Sequence, residues 1–281
     1  MSAAPGILLG THLYPARDAA AERLSRALDT WAALDVPLVN LQFADDPSPL
    51  AHPGFRTRSV LRRDSRSVTG ASGPRKPTMS EMLEHLVEEA ERAHCAYAGF
   101  SNADILVSPA ALDRVRAGGY DAVVFSRMDI DAVSGAALGE FFSGQDTLFI
   151  RPAAYRALRS RLRPYIVGEM PWDVVYTSVL LTHCRTELVN RGDDCRHVGH
   201  ETIWVDSPFA SYGWRLARLD WTYMQRWYRY YYAAKAMREA GAAAAEEDAW
   251  RDQVFGPLTT RERAMNAYRR VRFGGRTGRG A

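Results

Sequence analysis

The sequence predicts an α/β protein built on a Rossmann-type sheet, and three observations predict it. Gly6 to Tyr14 (GILLGTHLY) is an apolar run of strand length. Leu24, Leu28, Trp31 and Leu34 then recur at helical spacing behind Asp18, a candidate N-cap. Val36 to Phe43 (VPLVNLQF) completes the unit as a second strand. A β-α-β opening of this kind implies parallel strands of doubly wound type, with ligands beyond their carboxyl ends.

The later elements follow in order. Ala44 to Pro77 is loop-rich, with many Pro and Gly residues and a basic run of Arg56, Arg58, Arg62, Arg63 and Arg66. Ser59-Val-Leu61 allows a short strand in its middle. The basic run is either a solvated surface loop or a clamp for nucleotide or phosphate. Lys76-Pro77 precedes Thr78-Met-Ser-Glu81, which fits a capping box for a helix from Thr78 to His94. Met82, Leu86 and Ala90 share the buried face of that helix. A lysine just upstream of a helix N-terminus makes a natural anion site.

An apolar approach, Ala96 to Phe100, leads into the turn Asn102-Ala-Asp104 and then Ile105 to Val107. Pro109 to Ala117 is a short helix ended by Gly118-Gly119. Tyr120 to Met128 reads as one strand finishing in Asp129-Ile-Asp131. Phe141 to Arg151 reads as a turn and strand headed by Gly144-Gln-Asp146, and Pro152 opens a helix to about Leu162. Pro171-Trp-Asp173 leads into an apolar helix from Val174 to Cys184, with Asp173 suited to its first turn. Leu188-Val189 is a short strand, and Cys195 to Trp204 a polar-aromatic loop. From Trp214 onward the chain is helical, with a break over Ala240 to Glu247 and a further helix from Thr259 to Val271. The Gly/Arg-rich tail, 272–281, is expected to be disordered.

Composition bounds the function. The 281 residues are 47% hydrophobic and 25% charged, as in an ordinary globular protein. A net charge of +3 gives no indication of a nucleic-acid partner. Only two of the 36 basic residues are lysines and alanine is abundant, which points to a GC-rich bacterial genome. No secretory signal and no run of about 18 apolar residues is visible, so no membrane span is expected. Cys95, Cys184 and Cys195 form no CxxC pair and cannot all be disulfide-bonded, which is simplest in a reducing cytoplasm.

Three acidic clusters fall in or beside turns: Asp104, Asp146, and Glu169 with Asp173. Oxygen ligands at a strand end can hold a divalent cation, and a carboxylate within reach of a hydroxyl can deprotonate it. Asp129 and Asp131 rival Asp104 as ligands but also suit a solvated turn. His183, Cys184, Cys195, His197 and His200 match no usual zinc spacing. The aromatic residues from Trp214 to Tyr232 lie at helical spacing, which favours core packing over binding of sugar, lipid or a partner.

Taken together, the Lys-Pro helix, the Asn-x-Asp-Ile hairpin, GQDTLFIR, PWD and HVGHETIW stand in an order that resembles the nucleotide-sugar-dependent glycosyltransferases of the GT-A fold. The likeness spans about residues 6–215. It implies a GT-A-like mixed sheet flanked by helices. Residues 1–213 would form the catalytic domain, with a nucleotide-binding half (1–108) and an acceptor half (109–213). A helical C-terminal extension would cover 214–271, its aromatic helices available for self-association.

The family's Asp-x-Asp motif binds Mn2+ or Mg2+ and the donor diphosphate, and here it stands as Asn102-Ala103-Asp104. By resemblance Asp104 is the metal ligand, Asn102 its neutral partner, and His200 or His197 closes the metal shell. Asp173 maps to the acceptor-side base, while Asp146 and Trp172 border donor sugar and acceptor. Thr11, His12, Arg62, Arg63 and Lys76 would hold nucleoside and phosphates. The implied partners are a UDP- or GDP-linked sugar and a hydroxyl acceptor. Two alternatives stand beside this reading: a sugar-phosphate nucleotidyltransferase, and an inactive nucleotide-sugar-binding or scaffold protein of the same fold. The first would carry a glycine-rich basic loop after the first strand, which Gly10-Thr-His-Leu-Tyr14 lacks.

Overall fold

Strands buried on both faces form the centre of the protein. β1 (Ile7–Thr11), β2 (Leu38–Phe43), β4 (Tyr97–Ser101), β6 (Ala122–Phe125) and β9 (Thr147–Ile150) are buried at every position, as expected where helices cover both sides of a largely parallel sheet. The structure is a computed structural model that describes residues 6–142, 144–199 and 207–274. β3 (Phe55–Leu61) and β10 (Thr186–Val189) flank the sheet, giving the order β10-β6-β9-β4-β1-β2-β3. β9 alone runs against its neighbours, β4 and β6. The expected mixed α/β sheet flanked by helices is therefore what the chain forms.

Alternate strand residues supply two apolar layers. Leu8, Ala98, Phe100, Val124 and Leu148 face α3 (Met79–Arg92), α6 (Trp172–His183), α7 (Ala210–Leu219) and α8 (Trp221–Glu239). Ile7, Leu9, Tyr97, Val123 and Phe149 face α1 (Asp18–Ala32) and α4 (Pro109–Ala117). Met82, Leu86 and Ala90 form the buried stripe of α3, and Leu28, Trp31 and Leu34 that of the first helix and its exit. The helices from Ala210 onward, including α9 (Ala244–Val254) and α10 (Thr260–Gly274), follow the main sheet in sequence. Tyr223, Trp227 and Tyr230 of α8 belong to the same apolar cluster as the sheet and pack the core, while Trp214, Trp221 and Tyr232 are exposed.

Several elements differ from the sequence expectation. The single strand over Tyr120 to Met128 is two strands. After β6 the backbone crosses at Ser126 into a second, four-stranded sheet as β7 (Arg127–Ile130). That sheet has the order β5-β11-β7-β8, with β5 (Ile105–Val107), β8 (Ala137–Phe141) and β11 (Cys195–Val198). The loop expected over Cys195 to Trp204 thus begins as a strand, and 200–206 lie outside the described residues. Ala44 to Pro77 contains all of β3 and the short helix α2 (Ser65–Thr69), because β2 offers β3 a full parallel edge.

The N-cap position of the first helix is Arg17 rather than Asp18, and its side chain makes no capping hydrogen bond. The capping box at Thr78 does not form: the Thr78 hydroxyl is buried without a partner. Glu81 instead accepts the backbone N–H groups of Arg62 and Arg63, at 3.0 and 2.9 Å. The reciprocal box occurs one helix earlier, between Asp64 and Ser67 at α2. The tail beyond residue 274 lies outside the described residues.

Candidate active site

Because β9 lies reversed between β4 and β6, its first residues sit beside the last residues of both. Ser101 pairs with Thr147, and so does Phe125. The turn after β4, the segment before β9 and the exit of β6 therefore meet at one sheet edge. Asn102 donates from Nδ2 to Asp146 Oδ1 at 2.7 Å, and its backbone N–H donates to the Asp146 carbonyl at 3.0 Å. Arg127, two residues past β6, donates from Nη1 to Asp146 Oδ2 at 2.5 Å and from Nε to Asp129 Oδ1 at 3.0 Å. Its guanidinium lies 4.4 Å from the Phe141 ring centroid.

Strand register in the small sheet completes the group. β11 runs between β5 and β7, so His197 is flanked by Ile105 on one side and Asp129 on the other. His197 Nδ1 is 2.9 Å from Asp129 Oδ1, while Nε2 is 3.6 Å from Asp104 Oδ2. Burial disfavours the imidazolium, but the bonds to Asp104 and Asp129 outweigh that and raise the His197 pKa. Asp129 is lowered overall: burial opposes its charge, and His197 and Arg127 overcome the opposition. Tyr14, past β1, also feels Asp104; burial first and that charge second push its phenol up to about 12.

Asp173 stands in the first turn of α6, near Asp146 at the same edge. A helix N-terminus favours a carboxylate, and the backbone bond at Val174 acts in that direction. Burial and the neighbouring Asp146 charge act more strongly, raising the Asp173 pKa to about 7. A carboxyl group tuned to that range can take a proton near neutral pH. Tyr228 of α8 lies within electrostatic reach of Asp173 and stacks on Tyr232 with centroids 6.2 Å apart.

The structure brings together Asn102, Asp104, Asp146, Asp173 and His197 among the residues picked from sequence. Others it places elsewhere. Trp172 is buried between Phe100 and Tyr176, with ring centroids at 5.6 and 6.3 Å, so it packs the core. Lys76 donates to Glu169 at 2.6 Å. Thr11 is buried at the end of β1. His12 Nδ1 is 2.8 Å from the Leu41 carbonyl, its edge meets Phe43, and burial lowers its pKa. Arg62 and Arg63 are exposed beyond β3. Asp131 forms a solvated turn, accepting from the backbone N–H groups of Val133 and Ser134.

His183 bonds to Tyr223 at 2.8 Å, and Cys195 is buried in β11 with its thiol pushed up to about 12, so these two share no zinc cluster. His200 lies outside the described residues. Among the described residues, no group of three or more His, Cys, Asp or Glu side chains is arranged to hold a metal ion. Asp104 and His197 converge as two candidate ligands. Asp129 holds His197 Nδ1 and aims Nε2 toward Asp104, the outer-shell arrangement that orients metal-binding imidazoles.

Arg127 is the site residue that sequence reasoning missed. Its signal was an arginine two positions past a fully apolar strand and two before Asp129.

No protein-family model and no curated protein matches this chain. Several solved structures are similar to it. TarS residues 1–349 of S. aureus gives a TM-score of 0.42 at 11% identity, covering 97% of this chain and 74% of that one. A 4-diphosphocytidyl-2C-methyl-D-erythritol synthase gives 0.40 at 13%, covering 76% of this chain and 98% of that one. A glycosyltransferase involved in the glycosylation of the major capsid of PBCV-1 gives 0.37 at 9%, covering 75% and 99% respectively.

Proposed function

We propose that this protein is a glycosyltransferase that moves a sugar from a nucleoside diphosphate donor to an acceptor hydroxyl. The observation that carries the reading is Asp173. It is a carboxyl group poised at about 7 beside the Asn102–Asp146–Arg127 network at the carboxyl edge of the sheet. In this reading Asp173 accepts the acceptor hydroxyl proton as that oxygen bonds the anomeric carbon. The bond to the diphosphate breaks, and the nucleoside diphosphate leaves with the electron pair. This is the inverting form of the reaction, for which a base is needed.

Asp104 and His197 would hold a divalent cation, Mn2+ or Mg2+, with a further ligand from outside the pair. When bound, that ion supplies Lewis-acid neutralisation of the diphosphate. Asn102 and Arg127 fix Asp146, whose charge helps raise the Asp173 pKa while the Arg127 charge opposes that rise. The sheet edge beyond β1, at His12 and Tyr14, would receive the nucleoside.

Calorimetric titration with UDP-, GDP-, ADP- and dTDP-linked sugars, with and without Mn2+, tests the reading. Donor binding that strengthens with Mn2+ and is lost in Asp104→Ala is expected. If no nucleotide sugar binds, the reading fails. A donor that binds wild type and Asp173→Asn equally, with transfer lost only in the variant, assigns the base.

A further inference from the structure

The last helix is built the opposite way round from a surface helix of a globular protein. α10 turns polar residues toward the protein: Glu262 pairs with Arg226 at 2.8 Å, Asn266 meets Thr222 at 2.6 Å, and Arg269 donates to Thr222 at 3.1 Å. Phe273, on the same stripe, packs partly against the core. Ala264, Ala267, Tyr268 and Val271 repeat at i, i+3, i+4 and i+7 and form the opposite, solvent-facing stripe. Val271 is 85% exposed, Tyr268 48%, and Met265 beside them 39%. Single apolar residues on a surface need no explanation, but a contiguous stripe on a helix with no buried residue does.

Charge frames that stripe. Arg261 and Arg272 stand on one flank and Arg263 and Arg270 on the other, all exposed. Among the described residues, no carboxylate lies within ion-pair distance of any of the four, and the one acid in the helix, Glu262, faces inward to Arg226. An apolar stripe bordered by arginines with apolar stems is the pattern of a helix lying in a lipid headgroup layer. No helix among the described residues is long and apolar enough to cross a membrane, so the contact would be with the surface alone.

We infer that the outer face of α10 docks this protein on an anionic lipid bilayer, Ala264, Tyr268 and Val271 entering the headgroup boundary and the four arginines meeting lipid phosphates. A second copy of the chain fits poorly, because a two-fold contact would oppose the arginine flanks to each other. Nucleic acid would use the arginines but leave the apolar centre without a partner.

Co-sedimentation of the full chain with phosphatidylcholine vesicles, with and without phosphatidylglycerol, tests this. Binding only to the phosphatidylglycerol vesicles, weakening as salt is raised, is expected. Tyr268→Asn with Val271→Asn should lower partitioning at least about tenfold. Arg261→Gln with Arg272→Gln should lower it about fivefold per arginine. All four side chains are exposed, so thermal unfolding should not move; Arg263→Gln with Arg270→Gln repeats the charge test on the other flank if it does. The inference is overturned by no binding of wild type, by equal binding to neutral vesicles, or by binding unchanged in the variants. It is equally overturned by an arginine-dependent oligonucleotide complex without vesicle binding, or by a dimer that Val271→Asn dissociates. None of these outcomes depends on glycosyl transfer.

Discussion

Lys76 donates from Nζ to Glu169 Oε1 at 2.6 Å, joining the segment before α3 to the loop that delivers Asp173. Glu169 is buried, and its other oxygen has no hydrogen-bond partner among the described residues. Removing the ammonium leaves a buried carboxylate uncompensated, at a cost of about 3 kcal/mol. Lys76→Met is expected to lower the urea unfolding midpoint accordingly, and Lys76→Met with Glu169→Gln to recover most of it. If Lys76 also contacts the donor phosphate, the double variant regains stability but not donor affinity, which calorimetry separates.

Asp173 should oppose stability and support activity over the same pH range. Its pKa rises from 3.8 to about 7 on folding, so between those values the folded chain holds a proton that the unfolded chain has lost. Stability therefore falls as pH rises through that window. Transfer should rise through about pH 7 as the base form appears. Asp173→Asn is expected to abolish transfer while gaining about 2 kcal/mol above neutral pH, and to flatten the stability profile. A variant no more stable than wild type in a pH series of melts would contradict the burial assigned to this carboxyl.

Glu247 has the opposite sign. It accepts from Asn190, Arg191, Tyr230 and Arg238, tying α9 to β10 and α8. Burial opposes its charge, but those donors hold its pKa down at about 2 instead of 4.5. The stability it supplies is complete above pH 4.5 and disappears as pH falls toward 2. Glu247→Gln should cost about 3 kcal/mol at neutral pH and remove much of the acid dependence, read as unfolding midpoints between those limits.

Gly213 of α7 lies directly against the Met170 carbonyl, where a Cβ would overlap backbone that cannot swing aside. Gly213→Ala should therefore displace the Met170-Pro171 segment that leads into Asp173. We expect a loss of about 2 kcal/mol and lowered transfer with donor affinity retained. Unchanged kcat in this variant would show that α7 does not position the Asp173 turn.

How much was readable in sequence depended on the range of each interaction. α4 starts and stops where its local signals place it, with Ser108 capping Ala111 N–H, Pro109 at the first turn, and Gly118 after the end. β1, α1 and β2 likewise follow from contiguous apolar patterns. The division of Tyr120 to Met128 into two strands was not readable, because the crossing at Ser126 depends on partners in Thr147 and Val189. Trp172 looked like a ligand-facing aromatic beside Asp173, and only its neighbours Phe100 and Tyr176 showed it to be core.

By itself, the sequence determined the α/β class, the placing of Asn102, Asp104, Asp146 and Asp173 at element ends, and the presence of a final helix over Thr259 to Val271. These follow from periodicity and turn chemistry within a few residues. Only the tertiary structure decided that β9 runs reversed between β4 and β6, and that β11 carries His197 between Asp129 and Asp104. It also decided that α10 turns its polar stripe inward. The physical reason is the same in each case. Strand order and helix docking are chosen by pairings distant in the chain, and burial, the main cause of the Asp173 shift to about 7, exists only once those pairings have formed.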